Sequence, residues 1–332
     1  MWHSRDPSDV AVNTTSCDMS PDRATGAGNQ LRPLRLERDM NVFLTGGTGL
    51  VGGAVLRSLL GDGHVVSALA RSDDSAVALQ QAGAQVVRGD LTDPAALAAA
   101  ARSADGMIHT AARSDGTDAE LDAALLDAVL PALAGTGKPY VHTSGVWVHG
   151  SGVVDEDTPF DPPQITAWRL PLDARVRAAA ADGVRSVVIA PGIVHGQGGG
   201  LPNLLRSGPR TDDGALVLPG SGDQHWTTVY ADDLGRLYAL ALANAEAGSY
   251  YLGVSGSNPT VREIGIAADR GAGGDGRVVG SSDEETEARL GPLAGALDLD
   301  QQASGARARS ELGWVPTGPT LTEDLQTGSY AG

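Results

Sequence analysis

The chain has 332 residues, 41% of them apolar, and a formal net charge of −17. A surface that acidic repels phosphate backbones and anionic lipid, which excludes nucleic acid and membrane surfaces as expected partners. Cys17 is the only cysteine, so no intrachain disulfide forms and a reducing, cytoplasmic compartment is expected. No stretch is apolar for long enough to span a bilayer.

Residues 1–39 are rich in Ser, Asp, Arg, Pro, Thr and Asn, lack apolar periodicity, and read as a disordered tail. From Met40 onward strands and helices alternate. Asn41–Leu44 is a short apolar strand, followed by a glycine-rich turn and a helix over Ala54–Leu60. Strand Val65–Leu69 leads to helix Ser75–Ala82, and strand Gln85–Arg88 to helix Pro94–Ala101, which carries Pro in its first turn. Strand Gly106–His109, the Ala- and Leu-rich helix Asp118–Leu133, strand Tyr140–Thr143, helix Trp168–Ala181 and strand Ser186–Ala190 complete the run. Apolar strands alternating with helices predict an α/β fold with a doubly wound parallel sheet covered on both faces. After His195 the rhythm breaks into Gly- and Pro-rich segments to Gly222. Thr227–Ala245 resumes strand and helix, Tyr250–Leu252 reads as one more strand, and the remainder reads as irregular, with a solvated acidic run at Ser282–Glu287. The expected division is a cofactor-binding domain at 40–196 and 226–252, with a smaller substrate-binding cap at 197–225 and 253–332.

Gly46, Gly49 and Gly52 follow an apolar strand and open a helix, the setting in which such spacing marks a Rossmann dinucleotide-binding turn. Gly46 permits the tight turn, Gly49 lets backbone approach the pyrophosphate, and Gly52 lets helix and strand pack closely. The helix N-terminus then offers its dipole and free N–H groups to the phosphates. Thr48, Leu50 and Val51 complete the cofactor loop. An NAD enzyme places a carboxylate about 20 residues further on, to hold the ribose hydroxyls. Here that position is Ala70, followed by Arg71 and Ser72. With no carboxylate to repel a 2′-phosphate and Arg71 to pair with one, the expected cofactor is NADP(H).

The landmarks T-G-G-T-G-L-V-G at 45–52, R-G-D-L at 88–91, I-H-T-A-A at 108–112, V-H-T-S-G-V-W-V-H-G at 141–150, A-P-G-I-V-H-G at 190–196, V-Y-A-D-D-L at 229–234 and E-L-G-W-V-P at 311–316 follow in order. Together they resemble the extended short-chain dehydrogenase/reductase superfamily, in its epimerase/dehydratase-like branch. The resemblance implies that Asp90 and Leu91 contact the adenine, that Thr110, Ala111 and Ala112 line the adenosine side of the cleft, and that Pro191, Gly192 and Ile193 sit beside the nicotinamide amide.

The superfamily's usual catalysis also uses a Ser or Thr after the fifth strand and a Tyr-x-x-x-Lys pair on the next helix, where the lysine lowers the tyrosine's pKa. This chain has one lysine, Lys138, before the fifth strand, and no Tyr-x-x-x-Lys anywhere. The family serine falls near Gly145. The chain thus resembles the atypical members that keep the cofactor fold and lose the pair. Hydride chemistry belongs to the cofactor and survives that loss. Candidate catalytic groups are Thr143 and Ser144, as hydrogen-bond donors to a carbonyl, His149 and His195, as proton donors facing the cleft, and Arg169, as a binder of a carboxylate or of developing negative charge. Trp147 and Trp168 are candidate pocket walls, and His225 and Trp226, where the cap is expected to meet the sheet, are further candidate substrate-binding residues, His225 also a candidate proton donor. No His, Cys, Asp and Glu cluster has metal-ligand spacing.

The expected activity is reduction of a carbonyl, imine or conjugated double bond in a small organic molecule by NADPH. The alternatives are a redox-neutral isomerase, epimerase or cyclase on the same fold, and a non-catalytic NADP(H) sensor. The small-molecule substrate is the expected partner, and the chain is expected to act as a monomer or homodimer.

Overall fold

A computed structural model of the chain describes residues 39–113 and 115–331. The expected tail therefore lies, apart from Asp39, outside the described residues. In chain order the first half runs β1 (Asn41–Thr45), α1 (Leu50–Gly61), β2 (Val65–Ala70), α2 (Asp73–Gln81), β3 (Gln85–Arg88), α3 (Pro94–Ser103), β4 (Gly106–His109), α4 (Asp118–Leu133) and β5 (Pro139–Thr143). After a 3-10 turn at Val146–His149 come β6 (Gly152–Val154), α5 (Arg169–Ala178), β7 (Arg185–Pro191), β8 (Ile193–His195), α6 (Asn203–Arg206), β9 (Leu216–Val217), β10 (Thr228–Tyr230), α7 (Ala231–Asn244) and β11 (Ser249–Gly253). The chain continues through α8 (Val261–Gly271), β12 (Val278–Val279), α9 (Asp283–Leu290), α10 (Ala294–Leu297), β13 (Gln301–Ala303), α11 (Ala306–Leu312) and α12 (Leu321–Thr327).

Seven strands form one parallel sheet in the order β3-β2-β1-β4-β5-β7-β11. The order reverses between β1 and β4, and ligands of doubly wound sheets bind outside the carboxyl ends of the strands at such a switch point. Alternation along each strand sorts side chains onto the two faces. Val42, Leu44, Ile108, Val141, Val187 and Ile189 face the layer that contains α1 and α7, while Phe43, Met107, Tyr140 and Val188 face that of α3, α4 and α5. A third apolar cluster, with Leu205, Leu218, Trp226, Ile264, Leu297 and Leu325, is built from the later segments. Leu312 and Trp314 fall by number in the expected cap yet pack into the first cluster with the main sheet.

Two expectations are corrected. α1 begins at Leu50, four residues before the expected start, because Gly52 and Gly53 belong to its first turns despite their poor helix propensity. The stretch after Leu252, expected to be irregular, contains five helices. Three of them open with capping boxes, Thr260 with Glu263, Ser282 with Glu285 and Thr320 with Glu323, in which side chain and backbone satisfy each other's first-turn groups. The acidic run at 282–287 thus forms the N-cap and first turns of α9, where carboxylates complement the helix dipole.

Candidate active site

The glycine loop leaves its backbone open where a ligand would approach and closed where elements pack. Gly46 has φ +79°, a left-handed conformation that suits glycine, and a Cβ there would lie 2.6 Å from the Ala111 nitrogen. A Cβ on Gly52 would lie 2.1 Å from the Gly46 carbonyl oxygen. Gly49, by contrast, is exposed, and its amide closes a turn on Gly46 O at 2.9 Å. Among the described residues, the first-turn amides of Leu50, Val51 and Gly52 make no hydrogen bond, which is the state of a helix start that receives an anion. Thr48 is exposed beside them. These features fit a dinucleotide pyrophosphate.

At the ends of β2 and β3, Arg71 is exposed and makes no ion pair among the described residues. Its neighbours are committed: Arg88 to Asp73 at 2.7 Å and Arg113 to Asp90 at 2.6 Å. Asp90 also accepts from the Thr92 amide, and hydrogen bonds and the arginine charges hold its carboxyl below the usual range despite the opposing effect of burial. Ser72 caps α2, accepting from the Ser75 amide. Leu91 is buried, and Thr110 donates its hydroxyl to the Thr45 carbonyl at 2.8 Å, leaving Ala111 and Ala112 as the more open residues of that wall. Pro191 and Ile193 are buried, and Gly192 lies against the Thr227 carbonyl.

The carboxyl end of β5 meets the first turns of α5. The Thr143 hydroxyl donates to the His109 carbonyl at 2.6 Å and lies 2.7 Å from the Tyr238 hydroxyl. Ser144 donates to Asp173 Oδ2 at 2.5 Å. Arg169 Nη1 donates to the Thr143 carbonyl at 3.2 Å, and the guanidinium lies over the Trp168 ring at 4.4 Å, within cation–π range. The nearest atom to a Cβ on Gly145 would be Arg169 Nε at 4.0 Å. A half-exposed guanidinium with most of its N–H groups unused therefore stands beside Gly145. No carboxylate lies within ion-pairing distance of it among the described residues.

The expected histidine donors are corrected. His149 is 2% exposed, with Nδ1 3.0 Å from the Thr158 carbonyl and Nε2 3.1 Å from the Tyr250 hydroxyl, so both nitrogens are occupied. His195 is 1% exposed, with Nδ1 3.1 Å from Asp324 of α12. Burial holds both below the usual histidine pKa. Neither offers surface to a substrate. His225 pairs with Asp300 at 2.7 Å, and Trp226 is buried in the third cluster with its indole donating to Leu297 O, a position in the core. Trp147 is half-buried between the second and third apolar clusters, and Trp168 is half-buried at the start of α5, its indole bonded to Ile165 O.

Two features escaped the sequence reading. Asp173, one helical turn beyond Arg169, looks like any helix-surface carboxylate in sequence, yet it is 3% exposed. The second is a buried polar array under the sheet's carboxyl edge. His109 bridges Asp122 at 2.9 Å and Thr45 at 2.7 Å, its ring stacks on His142 at 5.5 Å, and His142 Nδ1 lies 3.0 Å from the Tyr140 hydroxyl. Polar residues at alternate positions of short apolar strands were the available signal. Among the described residues, no group of three or more His, Cys, Asp and Glu is placed to hold a metal ion, and no helix is long and apolar enough to cross a membrane.

Residues 42–253 match the NAD-dependent epimerase/dehydratase family. The chain belongs to that family. An uncharacterised protein of Schizosaccharomyces pombe is 32% identical over 298 residues, covering 88% of this chain and all of the relative. The 2-alkyl-3-oxoalkanoate reductase of Stenotrophomonas maltophilia is 30% identical over 249 residues, covering 68% of this chain and 73% of the relative. The crystal structure of dTDP-glucose 4,6-dehydratase from Streptomyces venezuelae with NAD bound superposes with a TM-score of 0.71 at 24% identity, covering 88% of this chain and 96% of that one, and shares the fold.

Proposed function

We propose that the protein is an NADPH-dependent reductase of a carbonyl, imine or conjugated double bond in a small organic molecule. The observation that carries the reading is the Arg169 guanidinium beside Gly145, which forms no ion pair among the described residues, at the sheet edge where a doubly wound fold binds its ligands. Leu50, Val51 and Gly52 would receive the pyrophosphate at the α1 N-terminus, and Arg71, without an ion pair among the described residues, would receive the 2′-phosphate. When bound, the dinucleotide supplies the reducing equivalent. Arg169 then holds the acceptor atom and the negative charge that develops on it, with its fork oriented by Trp168 and the Thr143 carbonyl. A guanidinium does not release its proton, so water reaching the half-open site would protonate the reduced acceptor and leave as hydroxide. The name of the Stenotrophomonas relative, a reductase of 2-alkyl-3-oxoalkanoates, supports a 3-oxo acid or related acceptor as the first substrate class to try.

The test is single-turnover absorbance of protein-bound NADPH mixed with a panel of ketones, 3-oxo acids, imines and enones. Stoichiometric loss of reduced nicotinamide supports the reading. Product without net loss identifies the redox-neutral alternative, and tight binding without turnover identifies a sensor.

A further inference from the structure

Arg169 and Asp173 are four residues apart on α5, so they share a face. Their hydrogen bonds end on adjacent residues of the chain leaving β5: Arg169 on the Thr143 carbonyl and Asp173 on the Ser144 hydroxyl. Two bonds from successive turns to successive residues fix both the height and the rotation of the helix against the strand. Asp173 Oδ1 has no hydrogen-bond partner among the described residues, so the carboxyl is held at one oxygen only. We propose that Asp173 is a positioning residue, which clamps α5 to the end of β5 and sets the electrostatic field at the Arg169 guanidinium.

The groups that face Asp173 come from four elements: Arg169 and Arg177 on its own helix, Asp122 on α4, Tyr140 on β5 and Tyr250 on β11. Burial raises the proton affinity of the carboxyl and Asp122 adds to this. The Ser144 bond and the two arginines oppose it, and the balance places Asp173 at about 6. The carboxyl therefore changes charge close to neutral pH. By linkage, an arginine that lowers the proton affinity of Asp173 is itself partly neutralised by the ionised form, and binds an anion more weakly above that midpoint. The inference rests on Arg169 as the group that meets the acceptor, but its test needs no turnover.

The experiment is a carbon-13 NMR titration of the full chain with labelled aspartate carboxyls, in which Asp173→Asn identifies the signal by removing it. The native signal titrates near 6. In Arg169→Gln the midpoint rises by roughly one pH unit, in Arg169→Lys it stays near the native value, and in Ser144→Ala it rises. A midpoint unmoved in Arg169→Gln, one that moves equally in Arg169→Lys, or the absence of a signal near 6 that Asp173→Asn removes overturns the proposal. If the titrations behave as stated while no acceptor is reduced, the clamp stands and the reductase reading fails.

Discussion

Arg169 Nη1 reaches from the first turn of α5 to the carbonyl oxygen of Thr143 over 3.2 Å, which pins a cation to the end of the central strand. The superfamily's usual arrangement puts a tyrosine hydroxyl on this helix. If the guanidinium holds the developing charge, Arg169→Gln lowers kcat by roughly 10²–10³-fold and leaves the Kd for NADPH within about twofold. Arg169→Lys recovers only part of the rate, since an ammonium lacks the planar fork. Steady-state kinetics beside a fluorescence titration of NADPH checks both, and an Arg169→Gln variant with native kcat contradicts the assignment.

Cofactor choice is assigned to Arg71, the arginine of its corner that forms no ion pair among the described residues. Arg71→Ala weakens NADPH by roughly tenfold or more, the worth of a charge-assisted hydrogen bond, and leaves NADH nearly unchanged. Equal losses for the two cofactors contradict the assignment. Arg88→Ala and Arg113→Ala provide the comparison, because their charges are spent on Asp73 and Asp90.

Gly52 has no room for a side chain against the Gly46 carbonyl. Gly52→Val forces α1 away from the loop, so calorimetry shows dinucleotide affinity falling at least 100-fold. Gly53→Ala, where the nearest contact for the added Cβ is 3.5 Å, leaves binding intact.

Stability depends on pH through buried histidines. Burial, reinforced by His109, pushes His142 down to about 3, and burial also lowers His149 and His195. The unfolded chain binds these protons first as pH falls below about 6.5, so acidification favours unfolding, by roughly 1.4 kcal/mol per pH unit for each group that is fully neutral when folded. Asp173 acts in the opposite sense between about 4 and 6, because the native state keeps a proton that the unfolded chain has released. Three histidines outweigh one carboxyl, and Asp122, held low by His109 against its burial, adds a loss below about 4. The Tm therefore falls between pH 7 and pH 5, and less so in His142→Phe. His149→Gln and His195→Gln lower Tm while kcat stays within a few-fold; a collapse of kcat would restore them as proton donors.

The sheet was legible because its strands are short apolar runs separated by helices, and the glycine loop because strand and helix flank it. The late helices were legible in principle: the pattern of Thr or Ser followed three residues later by Glu recurs at 260, 282 and 320, but without a strand rhythm around it. The site was legible only in part. Arg169 was named from its place on the helix after β5, but its partner at the strand end depends on where α5 docks. Asp173 and Ser144 are 29 residues apart, and nothing local marks their bond. His149 and His195 were misplaced for the converse reason. Their positions at strand ends suggested a cleft, while Tyr250 and Asp324, which occupy them, come from 101 and 129 residues away.

The most direct measurement of the central claim is isotope transfer. Protein is incubated with NADPH carrying deuterium at C4 of the nicotinamide, in separate samples for each prochiral position, together with the acceptor that consumes it fastest. Mass spectrometry then follows the product. The account predicts one deuterium in the reduced product from one of the two labelled cofactors, matched by an equal amount of NADP formed, with the rate of transfer lowered roughly 10²–10³-fold in Arg169→Gln. Product that carries no deuterium from either cofactor, or that forms with the NADPH pool unchanged, contradicts it.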